Sequence, residues 1–592
     1  MAEGTSEGAS SNSVTDRISA SWLAGSLPEV RILDVTSWVA DGASGGVFGN
    51  GDPGHPVLRG GPGRLGEFAA ALVGQMTEFE QSAVAHDRRT LSADTQWGTM
   101  CSGTEVPAKT DACLQHALEK RVGVKARRAQ AFAVEKNPAK RKFIQITHPS
   151  LASLFEDCLN LSEPVCTNTL TGQVVPIPAV HDAIAGFPCQ DASKYSPKAH
   201  SEQSRSCIMQ EDLRTGSVFS ALAKYMSTRC GCGSRDPKPT MRWAILENVP
   251  GLALPPRNSN DQSILGPSNA TVVASILRMQ CGASVCCVQV DPRCFGMPVS
   301  RPRLYFLAFT PTDYEHTEDE LYCLVSSLLQ RICRFPIAEL DDFLLPMTDR
   351  EVRARMWQLG HAEPTMPRCR RAKKMARATP EEQWALKHWD RFRTHGSAEQ
   401  FWTSIPDEDT FIAFPGLSEL SQREFDILRF ANVAFPERQT RLADVSHSVD
   451  RISGSCSKIG LSPCLTSRSR LYSTSQCRLI TGEEKLRMQG LLVDSDLLKH
   501  FDDAMLQDLA GNAMDSSCVM AMQFVANVCS AVLSLPACSP SHGVGSNASM
   551  APLPDEEAEQ DTVATISTSR PFRRGQSGLN VLDDCLGLDH RQ

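Results

Sequence analysis

Short apolar runs alternate with amphipathic segments through the middle of the chain. Five runs are brief and bounded by polar, Gly or Pro residues, as is typical of buried strands: Ala131–Val134, Ala183–Ala185, Trp243–Leu246, Val285–Val290 and Leu304–Phe309. Four segments have a helical pattern: Thr110–Lys120, Ser217–Thr228, Thr271–Gln280 and Gly482–Gln489. This alternation favours an α/β fold with a doubly wound, Rossmann-like sheet, in which ligands bind at the carboxyl ends of the strands.

Both ends and one internal segment break the pattern. Residues 1–90 are rich in Gly, Ser and Ala, and residues 536–592 are low-complexity and acidic, so we predict disordered tails. Residues 316–455 are helical, Arg-rich and irregular, which predicts an inserted domain. The α/β domain would then consist of a first part, 91–315, and a closing part, 456–535.

The charge is also unevenly distributed. The 592 residues include 60 Lys+Arg and 68 Asp+Glu, a formal net charge of −8. Residues 1–90 have 11 acids and 6 bases and residues 536–592 have 8 acids and 4 bases, so the body between the tails carries +1. Within the predicted insert, residues 351–395 have 11 bases and 5 acids, with Trp and Phe among them. Such a patch suits contact with nucleic acid, although a solvated basic helix explains it equally well.

The 22 cysteines include no C-x-x-C pair, so zinc fingers and thioredoxin-like motifs have no support. The N-terminus is polar and acidic and has no signal or transit pattern. The most apolar stretch, Val519–Leu535, contains Gln523 and Asn527 and falls short of a typical membrane span. We therefore predict a protein of a reducing compartment that binds neither a metal nor a membrane.

The first segment with candidate chemistry is DAIAGFPCQDAS, Asp182–Ser193. An apolar strand runs into Gly-Phe-Pro and then Cys189, so the cysteine stands just past a strand end. A thiolate there would be a strong nucleophile. Taken alone, Cys189 is more simply explained as one of many inert buried cysteines.

Two further segments place ionisable groups beside strands. WAILENVPGL, Trp243–Leu252, ends its apolar run at Glu247, and a buried carboxylate there can act as a general acid or base. CFGMPVSRPRLYFLAF, Cys294–Phe309, has Arg301 and Arg303 two apart before a strand. Both guanidinium groups can therefore point to one anion or polarised oxygen. In isolation, a loop carboxylate and a solvated strand edge are ordinary explanations.

Together the three segments resemble the cytosine-C5 DNA methyltransferase family, which uses S-adenosylmethionine. The resemblance rests on PCQ at Pro188–Gln190, ENV at Glu247–Val249 and R-x-R at Arg301–Arg303, in that order. Similar motifs precede them in GTMCSGTEVP, AFAVEKNPAKRKFIQITHP and FEDCLNL, and others follow in RLITGEEKLRMQGL and LQDLAGNAM. The resemblance covers roughly 90–315 and 456–535, and it implies that the insert recognises the target.

The resemblance implies a mechanism. Cys189 would attack C6 of a cytosine, Glu247 would protonate or hydrogen-bond N3, and Arg303, together with Arg301, would hold the base oxygen and the glutamate. C5 would then take the methyl group, and loss of the C5 proton with elimination of the thiol would restore the ring. The base must first flip out of the duplex.

The resemblance also implies an S-adenosylmethionine site. Gly103 would allow close backbone approach, Glu135 would bind the ribose hydroxyls, and Asp157 would bind the adenine amino group. The full set comes from five separate motifs: Cys101, Gly103, Thr104, Glu135, Asp157, Pro188 and Asn512.

Two residues depart from the family pattern. Val299 stands where the family usually has glutamine, so a hydrogen bond in the catalytic loop is expected to be missing. Glu105 stands in the first motif in place of a second glycine. It would be unfavourable beside the carboxylate of S-adenosylmethionine unless it points away.

We predict that the protein binds double-stranded DNA as a monomer, in the nucleus of a eukaryote and otherwise in the cytoplasm. Three alternatives stay open. The same chemistry can act on tRNA or another RNA, a catalytically weak member can serve as a chromatin-binding protein, and a thiol hydrolase would pair Cys189 with a histidine, for which only His181 is near.

Overall fold

The structure is a computed structural model, and the part of the chain it describes is residues 17–18, 21, 29–40, 65–91, 95–101, 103–192, 207–209, 213–229, 241–256, 263–310, 317–333, 335–361, 388, 391, 415–434, 442–449 and 460–535. The strands are β1 (Ile32–Asp34), β2 (Thr95–Met100), β3 (Arg128–Val134), β4 (Leu154–Phe155), β5 (Val165–Thr167), β6 (Val174–Pro176), β7 (Asp182–Gly186), β8 (Trp243–Asn248), β9 (Ser284–Val290), β10 (Arg303–Phe309), β11 (Leu442–Asp444), β12 (Leu471–Ser473) and β13 (Arg478–Leu479).

The helices follow in the same chain order. They are α1 (Thr36–Ala40), α2 (Leu65–Gly74), α3 (Glu78–Thr90), α4 (Val106–Val122), α5 (Pro138–Thr147), α6 (Arg214–Arg229), α7 (Asn269–Cys281), α8 (Glu318–Ile332), α9 (Arg350–His361), α10 (Gln422–Ala434), α11 (Gly482–Met488), α12 (Ser495–Leu498), α13 (Asp503–Asn512) and α14 (Ser516–Leu533). Each strand and helix predicted above falls within one of these elements, except that the predicted helix Gly482–Gln489 extends one residue beyond α11.

The main sheet of the described residues has eight strands in the order β1-β9-β10-β8-β7-β2-β3-β4. Strand β10 is antiparallel to both of its neighbours, and the remaining pairs are parallel. From β2 the chain moves outward to β3 and β4 and then returns to β7 on the other side of β2. The topological switch point, where ligands bind in such sheets, therefore lies between β2 and β7. The predicted doubly wound α/β fold is confirmed.

Both faces of the sheet are covered, which explains why its strands are apolar over nearly their full length. One face packs against α2, α3, α4, α8 and α14, and the other packs against α6 and α7. Helix α14 is buried on almost every side. Within the described residues one stretch, Asp503–Leu533, is long and apolar enough to cross a membrane, but 89% of its most apolar window is buried inside the fold. Its apolarity is accounted for by this position in the core.

The predicted domain boundaries need three corrections. Residues 65–90, expected to be part of a disordered tail, form α2 and α3, which pack into the main core. Helix α8, expected to belong to the insert, also packs into the main core through Leu321, Val325 and Leu329. The helices bury these apolar side chains, so their segments belong to the α/β domain.

The third correction concerns the insert. A small sheet with the strand order β11-β12-β13 pairs residues from the predicted insert with residues from the predicted closing part. Its core includes Leu420, Phe425, Ala443 and Tyr472. The basic segment 368–377 and the tail 536–592 lie outside the described residues.

Candidate active site

The loop that carries Cys189 is fixed on both sides. Strand β7 ends at Gly186, and the side-chain amide of Asn248 donates to the Phe187 carbonyl at 3.0 Å. After the cysteine, the Ala192 amide donates to the Cys189 carbonyl at 3.1 Å. The Cys189 side chain lies just past the end of β7, at the carboxyl edge of the sheet, and it is half-buried rather than fully exposed.

The loop is also anchored by the carboxylate of Asp191, which accepts hydrogen bonds from Thr215 at the start of α6. The amide donates at 3.1 Å and the hydroxyl at 2.7 Å. The cysteine therefore lies between two fixed points, one on β8 and one on α6.

Strand register brings Glu247 to the same edge. Gly186 pairs with Glu247 on the neighbouring strand β8, and Glu247 pairs with Tyr305 on β10. A Cβ at position 186 would lie 3.4 Å from Glu247 Oε2 and 2.6 Å from the terminal methyl of Met514. The absence of a side chain at Gly186 therefore leaves space for Met514 next to the carboxylate.

Arg303 forms an ion pair with Glu247. Because β10 runs antiparallel, its first residue emerges at the edge where the parallel strands end. The Arg303 Nε atom lies 2.9 Å from Glu247 Oε1, and both side chains are largely buried. Burial lowers the pKa of Arg303, but Cys464, Glu247 and Cys189 outweigh it, so the pKa lies above its usual value. Arg303 is therefore a permanent cation in this site.

The Cys189 thiol is protonated at neutral pH. Burial raises its pKa above the ordinary value of 9.0, and Glu247 raises it further, while Arg303 and Arg301 lower it only in part. Formation of the thiolate therefore depends on groups that a bound substrate supplies or rearranges.

Arg301 is engaged differently from its neighbour. Its guanidinium is buried and donates to the carbonyls of Leu465, Gly511 at 3.0 Å and Ala513 at 2.9 Å. These carbonyls belong to the segment before β12 and to the end of α13. Arg301 therefore joins the catalytic edge to the closing part of the chain, and it does not hold Glu247 as the resemblance implied.

Val299, which stands where the family usually has glutamine, is held by packing and by its backbone. The side chain is fully buried in an apolar cluster with Leu344, Leu442 and Leu465. Its backbone forms a parallel bridge with Ser462, whose amide donates to the Pro298 carbonyl at 2.7 Å. Here apolar packing and a backbone bridge stand in place of a side-chain amide.

The predicted cofactor residues meet at the carboxyl ends of β2 and β3. Cys101 and Gly103 both have left-handed backbones, with φ of 58° and 67°. A Cβ added at Gly103 would lie 3.9 Å from Glu135 Oε2, so the carboxylate and the glycine backbone face one space. Burial raises the pKa of Glu135. A ribose with two hydroxyls fits a carboxylate that is partly shielded from water and set beside a bare backbone.

Asp157 lies at the next strand end. Its Oδ1 accepts from the Leu159 amide at 3.1 Å, and its Oδ2 pairs with Lys136 Nζ at 2.7 Å. The Lys136 side chain is 62% exposed, so an exocyclic amino group can replace it at little cost. The side chain of Cys101 is also close, with its Sγ 3.2 Å from Cys158 Sγ.

Glu105 points away from this space. It has φ of 54° and is fully buried. One carboxylate oxygen accepts from Thr99 Oγ1 at 2.6 Å and the other from Gln130 Nε2 at 2.8 Å. The carboxylate therefore fastens the cofactor loop to β2 and β3. The neighbouring Thr104 is also buried, and its hydroxyl has no hydrogen-bond partner within the described residues.

The closing motif, which contains Asn512, lies near the predicted cofactor site, but the Asn512 side chain is bonded within its own helix. Asn512 is exposed, and its amide donates to the carbonyl and the carboxylate of Asp508, at 2.8 and 2.9 Å. Asp508 in turn lies 3.2 Å from Lys140 on α5. The closing motif is therefore held next to the predicted ribose site by an ion pair that the sequence did not indicate.

Sequence reasoning missed several residues that shape the site. Asn248 had a usable signal, because it belongs to ENV. The others lack one, because their roles depend on contacts between distant segments: Lys140, Gln130, Cys464, Leu465 and Met514. Within the described ranges, no group of three or more His, Cys, Asp or Glu residues is arranged to hold a metal ion.

Comparison with known proteins gives two curated relatives. The DNA (cytosine-5-)-methyltransferase DMT5 of Verticillium dahliae is 25% identical over 459 residues, which cover 71% of this chain and 19% of the relative. The DNA (cytosine-5-)-methyltransferase DMT5 of Cryptococcus neoformans var. grubii is 24% identical over 442 residues, covering 71% of this chain and 16% of the relative. The chain thus spans less than a fifth of the length of either relative.

Among solved structures, the S. pombe Dnmt2 methyltransferase matches with 12% identity over 73% of this chain and 97% of that chain, with a TM-score of 0.34. No protein-family model matches the chain. The resemblance to the cytosine-C5 methyltransferase family, first seen in three short motifs, is confirmed by the two fungal relatives.

Proposed function

We propose that this chain is a DNA (cytosine-5) methyltransferase that transfers a methyl group from S-adenosylmethionine to C5 of a flipped-out cytosine. One observation carries the proposal: Cys189, Glu247 and Arg303 lie at one sheet edge, with Glu247 and Arg303 paired at 2.9 Å. The names of the two relatives, each a DNA (cytosine-5-)-methyltransferase, support the same reaction.

In the proposed reaction, the Cys189 thiol first loses its proton to water, and the thiolate then attacks C6 of the cytosine and forms a covalent bond. Glu247 holds or protonates N3, so negative charge that develops on the ring is stabilised. Arg303 keeps the carboxylate oriented and stays charged throughout. C5 becomes nucleophilic and accepts the methyl group. Water then removes the C5 proton, the C5–C6 double bond re-forms, and the Cys189 thiolate leaves C6.

The cofactor fits the residues at the ends of β2 and β3. When bound, S-adenosylmethionine supplies an electrophilic methyl group. Gly103 offers a bare backbone, Glu135 offers a carboxylate for the ribose, and Asp157 offers an acceptor for the adenine amino group. Glu105 does not oppose the cofactor carboxylate, because its own carboxylate is occupied by Thr99 and Gln130.

The proposed substrate is double-stranded DNA, bound by a monomer. The two relatives are fungal, which supports a nuclear protein of a eukaryote. We assign target recognition to the small sheet β11-β12-β13 and the rest of the insert. Arg301 donates to the carbonyl of Leu465, shortly before β12, and so connects the catalytic edge to this sheet. Cys189 can reach C6 only when the target cytosine has left the base stack of the duplex, because neighbouring bases otherwise cover C6.

The direct test is capture of the covalent intermediate. Duplex DNA containing 5-fluorocytosine is incubated with the full chain and S-adenosylmethionine, and the adduct is read on a denaturing gel. Wild type and Cys464→Ser should both give an adduct, whereas Cys189→Ser should give none. Cys464 is the matched control, because it is also half-buried and lies near both arginines.

Three results would contradict the proposal. If the adduct survives in Cys189→Ser but disappears in Cys464→Ser, the nucleophile is Cys464 and the assignment of Cys189 is wrong. Labelling by tritiated cofactor of tRNA and not of duplex DNA would mean that the substrate is RNA. A chain that binds S-adenosylmethionine but labels neither substrate would be a binding protein.

A further inference from the structure

A second cavity adjoins the cofactor loop at Thr104, and neither Gly103 nor Glu135 lines it. It has a volume of about 490 Å³, within the range of small-molecule sites. Helix α4 forms one wall, β2 and β3 form the floor, and the end of α5 with residues 491–497 forms the opposite wall. Of the residues predicted for the cofactor, only Thr104 lines it.

The cavity contains hydrogen-bond donors without acceptors. Thr104 Oγ1 and Arg128 Nη2 are both buried and find no partner in the described part of the chain. Arg128 is 4% exposed, and its other nitrogens donate to Asp111 at 3.1 Å and to Asp182. Buried polar atoms without partners are rare in native proteins, because each costs about 1–3 kcal/mol.

Lys109 adds a charge that nothing nearby neutralises. It lines the cavity from the first turn of α4 and donates to the backbone carbonyl of Leu492. Among the described residues, no carboxylate lies within 4 Å of its ammonium group. Burial lowers its pKa, and only Cys113 opposes that effect. A lysine held in this way weakens the fold unless an anion joins it.

Each carboxylate that lines the cavity already accepts at least one hydrogen bond. Asp111 accepts from Arg128 and from Gln115 Nε2 at 3.1 Å. Asp494, near the mouth, accepts from the Asp496 amide at 2.7 Å. Burial, aided by Lys109, lowers the pKa of His148 to about 4, so the imidazole is neutral at pH 7. The cavity thus offers donors and needs acceptors.

The remaining walls are apolar. They consist mainly of Phe143, Leu491, Val493 and Leu497. A ligand that fits both properties has a carboxylate or phosphate at one end and an apolar body at the other.

We propose that this cavity is a binding site for a small organic anion, a carboxylate or phosphate on an apolar or aromatic body. The acidic group would be bound by Lys109, Thr104 and Arg128 Nη2, and the body would pack against Phe143 and Leu491. The site shares Thr104 with the predicted cofactor residues but includes none of Gly103, Glu135 and Asp157, and it does not depend on the proposed methyltransferase activity.

The test compares two probes of one shape. Phenylacetate and the neutral phenylacetamide are titrated against the full chain by ligand-observed NMR. Phenylacetate should bind with a Kd on the order of millimolar, as expected for ten non-hydrogen atoms. Phenylacetamide should bind at least about tenfold more weakly, because it lacks the charge that Lys109 complements.

Variants locate the site. Lys109→Met and Thr104→Val should each weaken phenylacetate binding, Lys109→Met by about tenfold or more. Lys120→Met is the matched control, because Lys120 is an exposed lysine on the same helix. Thr104→Val should unfold at the same temperature as wild type or higher, since it removes a buried hydroxyl that has no hydrogen-bond partner among the described residues. Lys109→Met should also unfold at the same temperature or higher, since it removes a charge that has no carboxylate partner there and loses only the hydrogen bond to the Leu492 carbonyl. A merely structural lysine or threonine would give the opposite shift.

Three results would overturn the proposal. Equal binding of the acid and the amide would mean that no anion site exists. An equal loss of binding in Lys120→Met would indicate general charge attraction. Displacement of phenylacetate by S-adenosylmethionine would mean that the cavity belongs to the cofactor site.

Discussion

The catalytic edge and the cofactor loop both hold functional groups in fixed positions, but they do so in different ways. At the catalytic edge, which comprises Cys189, Glu247 and Arg303, strand register sets the spacing, and an ion pair fixes the orientation. In the cofactor loop, residues 101–105, three left-handed residues leave the sheet in an irregular path. One buried carboxylate, Glu105, ties that path to two strands. Positions set by a sheet tolerate neighbouring substitutions, whereas the loop depends on a single side chain.

Arg303→Met should cause the largest loss. The variant leaves Glu247 without its cation, so kcat for methyl transfer should fall by about 10²–10³-fold. Single-turnover transfer of tritiated methyl to duplex DNA measures this. Arg278→Met is the control, since Arg278 pairs with Glu318 at the opposite edge of the sheet and should retain full activity. An equal loss of kcat in the two variants would show that Arg303 has no specific role in the reaction.

Arg301→Met should act on stability. Three backbone carbonyls would lose a charged donor, so the free energy of unfolding should fall by about 2–4 kcal/mol. Urea denaturation measures the loss, and Arg303→Met should lose less. A fully stable Arg301→Met protein with a low kcat would instead show that both arginines take part in the reaction.

Val299→Gln restores the residue typical of the family, and it should nevertheless be harmful. The amide would enter a fully apolar cluster without a partner, which costs about 1–3 kcal/mol. The midpoint of thermal unfolding should therefore fall, while Val299→Ile should change it little. A gain in activity with unchanged stability would show that a hydrogen bond is missing in the natural chain.

Glu105→Ala tests the cofactor loop. Thr99 and Gln130 would lose their acceptor, so the KM for S-adenosylmethionine should rise by about tenfold, or 1.4 kcal/mol, with kcat nearly unchanged. Glu105→Gln keeps one acceptor oxygen and should recover most of the affinity. If kcat falls and KM stays constant, the loop does not position the cofactor.

The smallest effect concerns pH. Because the pKa of Cys189 lies above 9.0, the thiol is protonated at neutral pH, and its alkylation by iodoacetamide should accelerate about tenfold per pH unit through pH 9. Arg303→Met should slow alkylation further at any pH below the pKa, because the arginine lowers that pKa. Mass spectrometry of the labelled peptide reports the rate, with Cys189→Ser as the blank. A plateau below pH 8 would contradict the assigned burial.

The sheet and its catalytic edge could be predicted from the sequence because the relevant signals are local. Cys189 and Glu247 each follow an apolar run, and the carboxyl ends of parallel strands meet at one edge. The bonds of Arg301 could not be predicted, because its partners Leu465, Gly511 and Ala513 lie more than 160 positions away.

One other expectation failed, and one conditional expectation could not be decided from the sequence, both for physical reasons. Helices α2 and α3 were hidden because the Gly-rich composition of residues 1–90 outweighed the apolar run LGEFAAALVG when the segment was considered as a whole. Glu105 carried no sign that it would turn inward, since that depends on its left-handed backbone and on Gln130 of β3.

The position of helix α14 has a consequence for biosynthesis. This helix packs against α2, α3 and α4, which are made more than 390 positions earlier. At roughly 5–20 residues per second, a ribosome takes about 20 to 90 s between completing α3 and completing α14. During that interval one apolar face of the sheet lacks its central cover. A nascent chain of this kind is a natural client for chaperones, and truncation before Ser516 should yield an insoluble product.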